Sequence, residues 1–245
     1  RALLVFDSGF LSALLWTILW TIVNMAVQLV LAFALASLLN VKKLRLRKLY
    51  KTILMFPWAM PGYVSILLWK TGIFNSQFGL LNQWAEALGL EARRWLATDV
   101  SAFVFCTVVN LWLALPFMIM IMDGAMQSID ESYYESARLD GATRLQRAVY
   151  ITIPTIRPMI IMMFILNIGH IFYSDFGLFY QVPQNSGPLI NVTQTIDTYV
   201  YRGLMTTSNI GMSSAAGVYQ SIVGFILVVS ANLVVRKLDS DSALF

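Results

Sequence analysis

Apolar residues fall in five windows that are long enough to cross a lipid bilayer, and polar connections separate them. A hydrocarbon core about 30 Å thick needs roughly 20 apolar residues of α-helix. The windows lie at residues 11–39, 52–69, 100–122, 159–179 and 211–235. The first is long for one crossing, which predicts a tilted helix or one that extends beyond the membrane. The pattern predicts an all-α polytopic membrane protein, a bundle of five transmembrane helices in one domain over residues 1–245.

The second window contains two prolines, Pro57 and Pro61. Proline has no backbone N–H and clashes with the preceding helical turn, so it bends or breaks a helix. Neighbouring helices satisfy the freed carbonyl groups when this happens inside a membrane. We therefore expect a kink in the second transmembrane helix.

Basic residues are distributed unevenly between the two sides of the predicted bundle. Twelve of the seventeen Lys and Arg residues lie in the first connection, the third connection and the C-terminal tail. Cytoplasmic connections are enriched in Lys and Arg, which predicts a cytoplasmic C-terminus for a multi-pass protein of a cell membrane. Five crossings then leave Arg1 outside. We therefore expect a sixth helix upstream of this sequence.

The composition excludes several classes of function. Hydrophobic residues make up 58% of the chain and charged residues 12%, against roughly 25% charged in soluble domains. A single cysteine and a single histidine give no internal disulfide, no metal cluster and no nucleophile–base set for an enzyme. No phosphate-binding Gly-x-x-x-x-Gly-Lys-[Ser/Thr] sequence occurs, so this chain has no motif for ATP. The net charge of +4 belongs to the membrane topology rather than to nucleic acid.

The third connection, residues 127–157, is the polar exception in an apolar chain. Good helix formers run from Ser128 to about Arg147, and Gly141 interrupts them. Pro154 marks the return to the membrane. The spacing predicts a helix, a glycine turn and a second helix. Two interpretations remain open from charge alone, namely a solvated basic connection or a handle for another subunit.

This connection resembles the EAA loop of ATP-binding-cassette importer permeases, which has the pattern Glu-Ala-Ala, three residues, Gly, nine residues, Ile-x-Leu-Pro. The chain matches at Glu135, Ala137, Gly141, Ile151 and Pro154. It departs with Ser136 and Ile153 in place of Ala and Leu. The segments "LPFMIMIMDGAMQSID" and "ARLDGATRLQ" are similar to the carbohydrate, maltose-type branch, and the C-terminal part is similar to polysaccharide and oligosaccharide permeases.

In that family the loop is a cytoplasmic coupling helix that sits in a cleft of a separate ATPase subunit. The resemblance implies that this chain is a transport subunit rather than an enzyme and binds no cofactor, with ATP and Mg used by the partner ATPase. It also implies that the membrane is a bacterial plasma or inner membrane. The implied ATPase-coupling residues are Glu135, Ser136, Ala137, Asp140, Gly141, Arg144, Ile151 and Pro154. For each arginine of the loop, simple exposure to water remains an alternative.

Polar residues inside the predicted spans mark a candidate substrate path, because such residues face the bundle interior or a water-filled cavity. By the offset that maltose-type permeases show on either side of the loop, and by the polar face of the fourth span, the candidates are Asn110, Leu113, Ala114, Phe117, Asn167, His170, Ile171 and Ser174. A hydrogen bond between helices is the alternative for Asn110, Asn167 and His170. Cys106 is interpreted as a packing residue.

The sequence therefore predicts the permease subunit of an ATP-driven importer for an oligosaccharide or polysaccharide, forming half of the translocation path. The expected partners are a second homologous permease in a heterodimer, an ATPase dimer, an extracytoplasmic solute-binding protein, the carbohydrate and membrane lipid, without nucleic acid. A permease for an amino acid or ion is the alternative. An ion-coupled secondary transporter is a further one, although acids lie only near span ends, at Asp123 and Asp175.

Overall fold

The computed structural model describes residues 8–42, 44–169, 176–183, 189–206 and 208–238. In these residues the chain forms the helices α1 Ser8–Leu39, α2 Arg47–Ala59, α3 Gly62–Leu67, α4 Leu80–Ala87, α5 Asp99–Gln127, α6 Glu131–Leu139, α7 Arg144–Arg147, α8 Ile153–Gly169, α9 Phe176–Gln181, α10 Ile190–Thr193, α11 Ile196–Met205 and α12 Ile210–Leu238. Two π-helical turns extend this set. Leu68–Ile73 continues α3, and Ala148–Thr152 connects α7 to α8.

Four helical stretches are long and apolar enough to cross a membrane: Gly9–Leu39, Asp99–Gln127, Arg144–Gly169 and Ile210–Lys237. A fifth crossing results if the bent pair formed by α2 and by α3 with its π turn is one span. The predicted all-α membrane bundle is confirmed. The predicted windows match these helices in number and order, while two of them differ in detail.

The second window is broken into two helices rather than kinked within one. The pair is bent by 92° between Ala59 and Gly62. Met60, which precedes Pro61, is extended at φ −87° and ψ 140°, as expected for a residue whose helical conformation the following proline ring disfavours. Pro57 lies inside α2 without ending it. The prediction of a distortion was right, and Pro61 is where it occurs.

The helix of the fourth candidate crossing begins well before the predicted window of 159–179. It runs from Arg144 to Gly169, so Pro154 lies within a continuous helical stretch, and its place at the membrane boundary stays a prediction. Pro154 has no N–H to donate, and the hydrogen-bond register changes just before it, where the N–H of Ile153 reaches the carbonyl of Ala148. Residues 170–175 lie outside the described part of the chain.

Small and apolar side chains hold the central helices together. α1 packs along α5, while α12 packs on α8 and on α11. Ala32 and Ala36 of α1 are fully buried against Met122 of α5, and small residues spaced by four let two membrane helices approach closely. Cys106 is buried in a second, aromatic-rich cluster around Trp20, which agrees with its interpretation as a packing residue.

Candidate functional site

The third connection forms a surface helix that begins immediately after the third crossing. Asp130 caps this helix, α6, because its Oδ1 accepts a hydrogen bond of 2.8 Å from the backbone N–H of Ser132. That hydrogen bond holds the pKa of the Asp130 carboxyl below its usual range. This cap stabilises the first turn of α6, so that the helix has a well-defined start and direction.

Gly141 ends α6 in the left-handed region, with φ +78°. The N–H of Gly141 donates to the carbonyl of Arg138 at 3.1 Å, and the N–H of Ala142 donates to the carbonyl of Ala137 at 2.9 Å. This pair of bonds is the Schellman arrangement, in which a residue with positive φ follows the last helical turn. The glycine predicted from the sequence as a helix breaker therefore has a defined geometric role.

A second cap starts α7 directly after this turn. Thr143 and Gln146 form a capping box, in which the backbone N–H of Gln146 reaches Thr143 Oγ1 at 3.3 Å and the backbone N–H of Thr143 reaches Gln146 Oε1 at 2.8 Å. Two caps and one glycine turn thus fix the predicted helix–turn–helix in residues 131–147. We call residues 131–147 the coupling segment.

The coupling segment is anchored to the bundle on one side. The hydroxyl groups of Tyr134 and Thr152 are 2.9 Å apart, which joins α6 to the π turn that leads into α8. Ile151 packs against the buried cluster formed by α1, α5 and α8. The sequence reasoning missed Tyr134 and Thr152, because only folding brings the two hydroxyl groups together.

The opposite side of the coupling segment is exposed and partly apolar. Leu139 is 90% exposed and Leu145 74%. Exposed apolar side chains on a short segment, surrounded by polar ones, are typical of a contact surface for another protein. Of the predicted coupling residues, Ala137 and Ile151 are partly buried, and the exposed ones are Glu135, Ser136, Asp140, Gly141, Arg144 and Pro154.

The glutamate of the motif has a partner within its own chain. Lys42, in the connection after α1, forms ion pairs with Glu131 and with Glu135. The Nζ atom of Lys42 lies 3.5 Å from Oε1 of Glu135, and both side chains are about half exposed. This connection therefore touches the first turns of α6.

The predicted substrate path is only partly brought together. Asn110 donates a hydrogen bond of 3.0 Å to Oδ1 of Asn24, which in turn donates to the carbonyl of Trp20. Asn167 donates to the carbonyl of Met163 in its own helix at 2.8 Å. Asn110 thus has the interhelical partner that the helix-packing alternative predicted, whereas the bond of Asn167 stays within its own helix. His170, Ile171 and Ser174 lie outside the described residues.

Phe117, the last predicted path residue of α5, has an aromatic partner. The rings of Phe117 and Trp58 are nearly parallel, at 15°, with centroids 6.3 Å apart. They are 49% and 56% exposed. Leu113 packs against the aromatic-rich cluster, and Ala114 is partly buried. The face of α5 that carries these residues thus becomes more exposed toward Phe117. The adjacent rings of Phe117 and Trp58 are both about half exposed there.

A buried acid near the end of the third crossing completes the polar contacts. Asp123 is 2% exposed. Its carboxylate accepts hydrogen bonds from four side chains, which lie in the connection after α1, on α2 and at the end of α5: Asn40, Arg47, Lys51 and Gln127. From the sequence, Asp123 is only an acid near a span end, because three of its four partners precede it by more than seventy residues.

The fold and this segment define a class: a polytopic helical membrane protein with an exposed helix–turn–helix between its third and fourth candidate crossings. Comparison with known proteins gives the family. The profile described as "Binding-protein-dependent transport system inner membrane component" matches residues 28–240. The chain therefore belongs to this family of inner membrane components.

Individual relatives are saccharide permeases. The chain is 30% identical over 227 residues to the galactooligosaccharides transport system permease protein GanP of Bacillus subtilis, covering 89% of this chain and 53% of that protein. It is 29% identical over 203 residues to the maltose/maltodextrin transport system permease protein MalF of Vibrio vulnificus, covering 79% and 38%. The chain thus spans about half or less of the length of these relatives.

Solved structures show the same fold. A subunit of a bacterial alginate ABC transporter, crystallised in complex with an alginate pentasaccharide-bound periplasmic protein, superimposes with a TM-score of 0.85. The match has 24% identity and covers 95% of this chain and 80% of that one. A chain from an amino acid ABC transporter matches with a TM-score of 0.57 and 14% identity, covering 98% and 96%.

Proposed function

We propose that this chain is the permease subunit of an ATP-driven importer and forms half of a translocation path for an oligosaccharide or polysaccharide. The proposal rests on the coupling segment of this chain, together with its membership of the family. Both helices of the segment have N-caps, Gly141 forms the turn between them, and Leu139 and Leu145 are exposed. A segment built in this way is suited to docking into another protein as a rigid unit.

ATP is hydrolysed by another subunit in this proposal. An ATPase dimer binds ATP and Mg, and this chain binds no cofactor. Closure of the ATPases moves the coupling segment, and the segment moves the bundle because Tyr134, Thr152 and Ile151 anchor it there. The proposed roles of Glu135, Ser136, Asp140 and Arg144 are contacts with the ATPase. A second homologous permease supplies the other half of the path, and a solute-binding protein delivers the substrate.

The proposed orientation places the coupling segment and the C-terminus in the cytoplasm. The basic residues support it, since those of the first connection, the coupling segment and the C-terminal end of α12 belong to one side in a five-span arrangement. Lys42 supports it independently, because its ion pairs place the first connection next to the coupling segment at the same end of the bundle.

A saccharide is the proposed substrate. The relatives from Bacillus subtilis and Vibrio vulnificus are permeases for galactooligosaccharides and maltodextrins, and the similarity supports the same class of substrate here. The adjacent rings of Trp58 and Phe117 also support it, because an aromatic surface can cover the apolar face of a sugar ring. Asn110 and Asn167 already have hydrogen-bond partners, so we place Phe117 first among the proposed path residues.

Reconstitution tests the proposal. The full transporter would be purified with its ATPase, second permease and binding protein and placed in liposomes. ATP-dependent uptake would be measured for galactooligosaccharides, maltodextrins, alginate oligosaccharides and an amino acid mixture. We expect uptake of one saccharide class and loss of that uptake in the Glu135→Lys variant. Uptake of amino acids alone would contradict the saccharide assignment, and uptake without ATP would contradict the importer.

A further inference from the structure

Asp123 connects α2 and α5, and the connection after α1, through its side-chain hydrogen bonds and ion pairs. Its Oδ1 accepts from Asn40 Nδ2 at 2.9 Å and from Arg47 Nη2 at 3.2 Å, and its Oδ2 accepts from Gln127 Nε2 at 2.7 Å and pairs with the Lys51 ammonium. Asn40 follows α1, Arg47 and Lys51 lie on α2, and Gln127 ends α5. We call these five residues the Asp123 cluster.

The Asp123 cluster supplies hydrogen-bond and ion-pair partners to a carboxylate whose burial would otherwise be unfavourable. A charge removed from water is tolerated when it is paired and its lone pairs accept hydrogen bonds. Asp123 is almost fully buried, whereas the side chains of Arg47 and Lys51 are 35% and 24% exposed. Part of each cationic side chain therefore lies at the surface of the chain, while the charged ends reach inward. Within the described chain this is the place where an acid is buried inside a candidate crossing.

α2 meets α5 at a second point, which is aromatic. Trp58 lies seven residues after Lys51, and Phe117 lies six residues before Asp123. At a rise of 1.5 Å per residue, both intervals are about 10 Å along a helix. The ionic contact and the ring contact are thus equally spaced on two antiparallel helices, so that fixing one contact fixes the other.

Apolar contacts alone would fix the position of α2 along α5 only weakly in a membrane. Lipid chains are as apolar as leucine side chains, so a helix that slides by one turn exchanges one apolar contact for another. The exposed face of α2 is of this kind, with Ile53 and Phe56 uncovered. A buried ion pair is different, because sliding leaves its charges without partners, and fixing register is the best-attested use of buried polar groups.

We propose that the Asp123 cluster is a register lock that fixes α2 along α5 and thereby places Trp58 beside Phe117. Asp123 is a positioning residue for transport in this view. The importance of the lock for uptake rests on the proposed function, whereas the alignment itself does not. α2 needs the lock because it is the first half of the bent pair and ends at the break before Pro61.

Thiol cross-linking in the assembled transporter tests the lock without substrate or ATP. Trp58→Cys and Phe117→Cys would be combined and treated with a short bifunctional thiol reagent. The native Cys106 is 1% exposed, and single-cysteine variants control for its reactivity. We expect rapid cross-linking in this background and a rate lower by about tenfold or more when Asp123→Asn is added, because the remaining cations lose their buried partner. Asp99→Asn, an exposed acid at the other end of α5, is the matched control and leaves the rate unchanged.

Two further arms separate register from general loss of structure. Phe117→Cys would be replaced by Leu113→Cys or Ile121→Cys, which lie one turn to either side on α5. Sliding of α2 in the Asp123→Asn background raises the cross-linking of Trp58→Cys with one of these positions.

The exchange variant Asp123→Lys with Lys51→Asp restores opposite charges and is expected to recover the original cross-link and the assembled complex on size exclusion. Equal rates in all backgrounds, or an exchange variant that recovers neither, would overturn the lock. Failure of saccharide uptake in the reconstituted transporter would instead count against the proposed function.

Discussion

The ammonium of Lys42 lies 3.5 Å from a carboxylate oxygen of Glu135, the glutamate of the coupling motif. The pair joins the connection after α1 to the coupling segment. Lys42 also pairs with Glu131, one turn earlier on α6. Glu135 therefore has two candidate partners in a working transporter, Lys42 of its own chain and a cation of the ATPase.

The first prediction separates these partners. Lys42→Ala is expected to change transport-linked ATP hydrolysis by less than about fivefold, because exposed ion pairs contribute at most about 1 kcal/mol. Glu135→Lys is expected to abolish it, because the proposed function places Glu135 against the ATPase and the variant presents the opposite charge there. Steady-state ATPase assays of the reconstituted complex, with and without substrate-loaded binding protein, measure both effects.

The double variant Glu135→Lys with Lys42→Glu is the control for that prediction. It restores opposite charges inside this chain but not toward the ATPase, so hydrolysis is expected to stay lost. Recovery of turnover in the double variant would mean that the ion pair with Lys42 is the whole role of Glu135.

The second prediction concerns the backbone of Gly141. At φ +78° a residue with a Cβ is strained by about 1 to 2 kcal/mol, and β-branched residues are the worst. No atom lies within 4 Å of a Cβ built on Gly141, so the strain is conformational rather than a clash. Transport-linked ATP hydrolysis is expected to fall by about tenfold in Gly141→Val and less in Gly141→Asn, because asparagine tolerates this region better.

Gly124 supplies the matched control. It is exposed, lies within α5, and also has open space around its Cβ position. Gly124→Ala is expected to leave hydrolysis unchanged and to stabilise the helix slightly. Equal activity of Gly141→Val and Gly141→Asn would show that the positive φ at the turn is not what coupling needs.

The third prediction concerns the amide pair of Asn24 and Asn110. Their hydrogen bond joins α1 to α5, and such bonds contribute about 0.6 to 2 kcal/mol in membranes. Either alanine variant is expected to lower the thermal stability of the detergent-solubilised complex, and the double variant is expected to lower it no further than the larger single effect. A thermal-shift assay on the four proteins of this double-mutant cycle measures the coupling.

A role in the path predicts a different outcome. If Asn110 binds substrate, Asn110→Ala changes the KM for uptake while Asn24→Ala does not, whatever their effects on stability. Equal KM values in the two variants would remove Asn110 from the proposed path.

Hydropathy alone predicted the fold well, because crossing a bilayer demands a local property of the sequence, about 20 apolar residues in a row. The end of α1 and the limits of α12 agree with their predicted windows within about three residues. Differences arose where proline changes the hydrogen bonding. Pro61 produced a 92° break instead of a kink, and the helix of the fourth candidate crossing starts at Arg144, before Pro154, rather than near residue 159.

Candidate coupling residues stand out in the sequence more clearly than candidate path residues for a related reason. The motif around Glu135 and Gly141 is contiguous, so its spacing is visible in the sequence. The Asp123 cluster joins residues that are up to 83 positions apart, and neither hydropathy nor spacing connects them. Trp58 was similarly interpreted from the sequence as part of an apolar window, and only the packing of α2 on α5 places it beside Phe117.

The last prediction concerns that ring pair. Trp58→Ala and Phe117→Ala are each expected to raise the KM for saccharide uptake by about two- to tenfold, since an aromatic contact contributes about 0.5 to 1.5 kcal/mol beyond its buried area. Trp58→Phe and Phe117→Tyr keep a ring and are expected to retain most of the affinity. Trp84→Ala is the matched control, because Trp84 is 63% exposed on α4, away from the α2–α5 contact. Uptake in proteoliposomes across a range of saccharide concentrations gives KM separately from the maximal rate. An unchanged KM in both alanine variants, with assembly intact, would make the stacked rings a packing contact and remove them from the path.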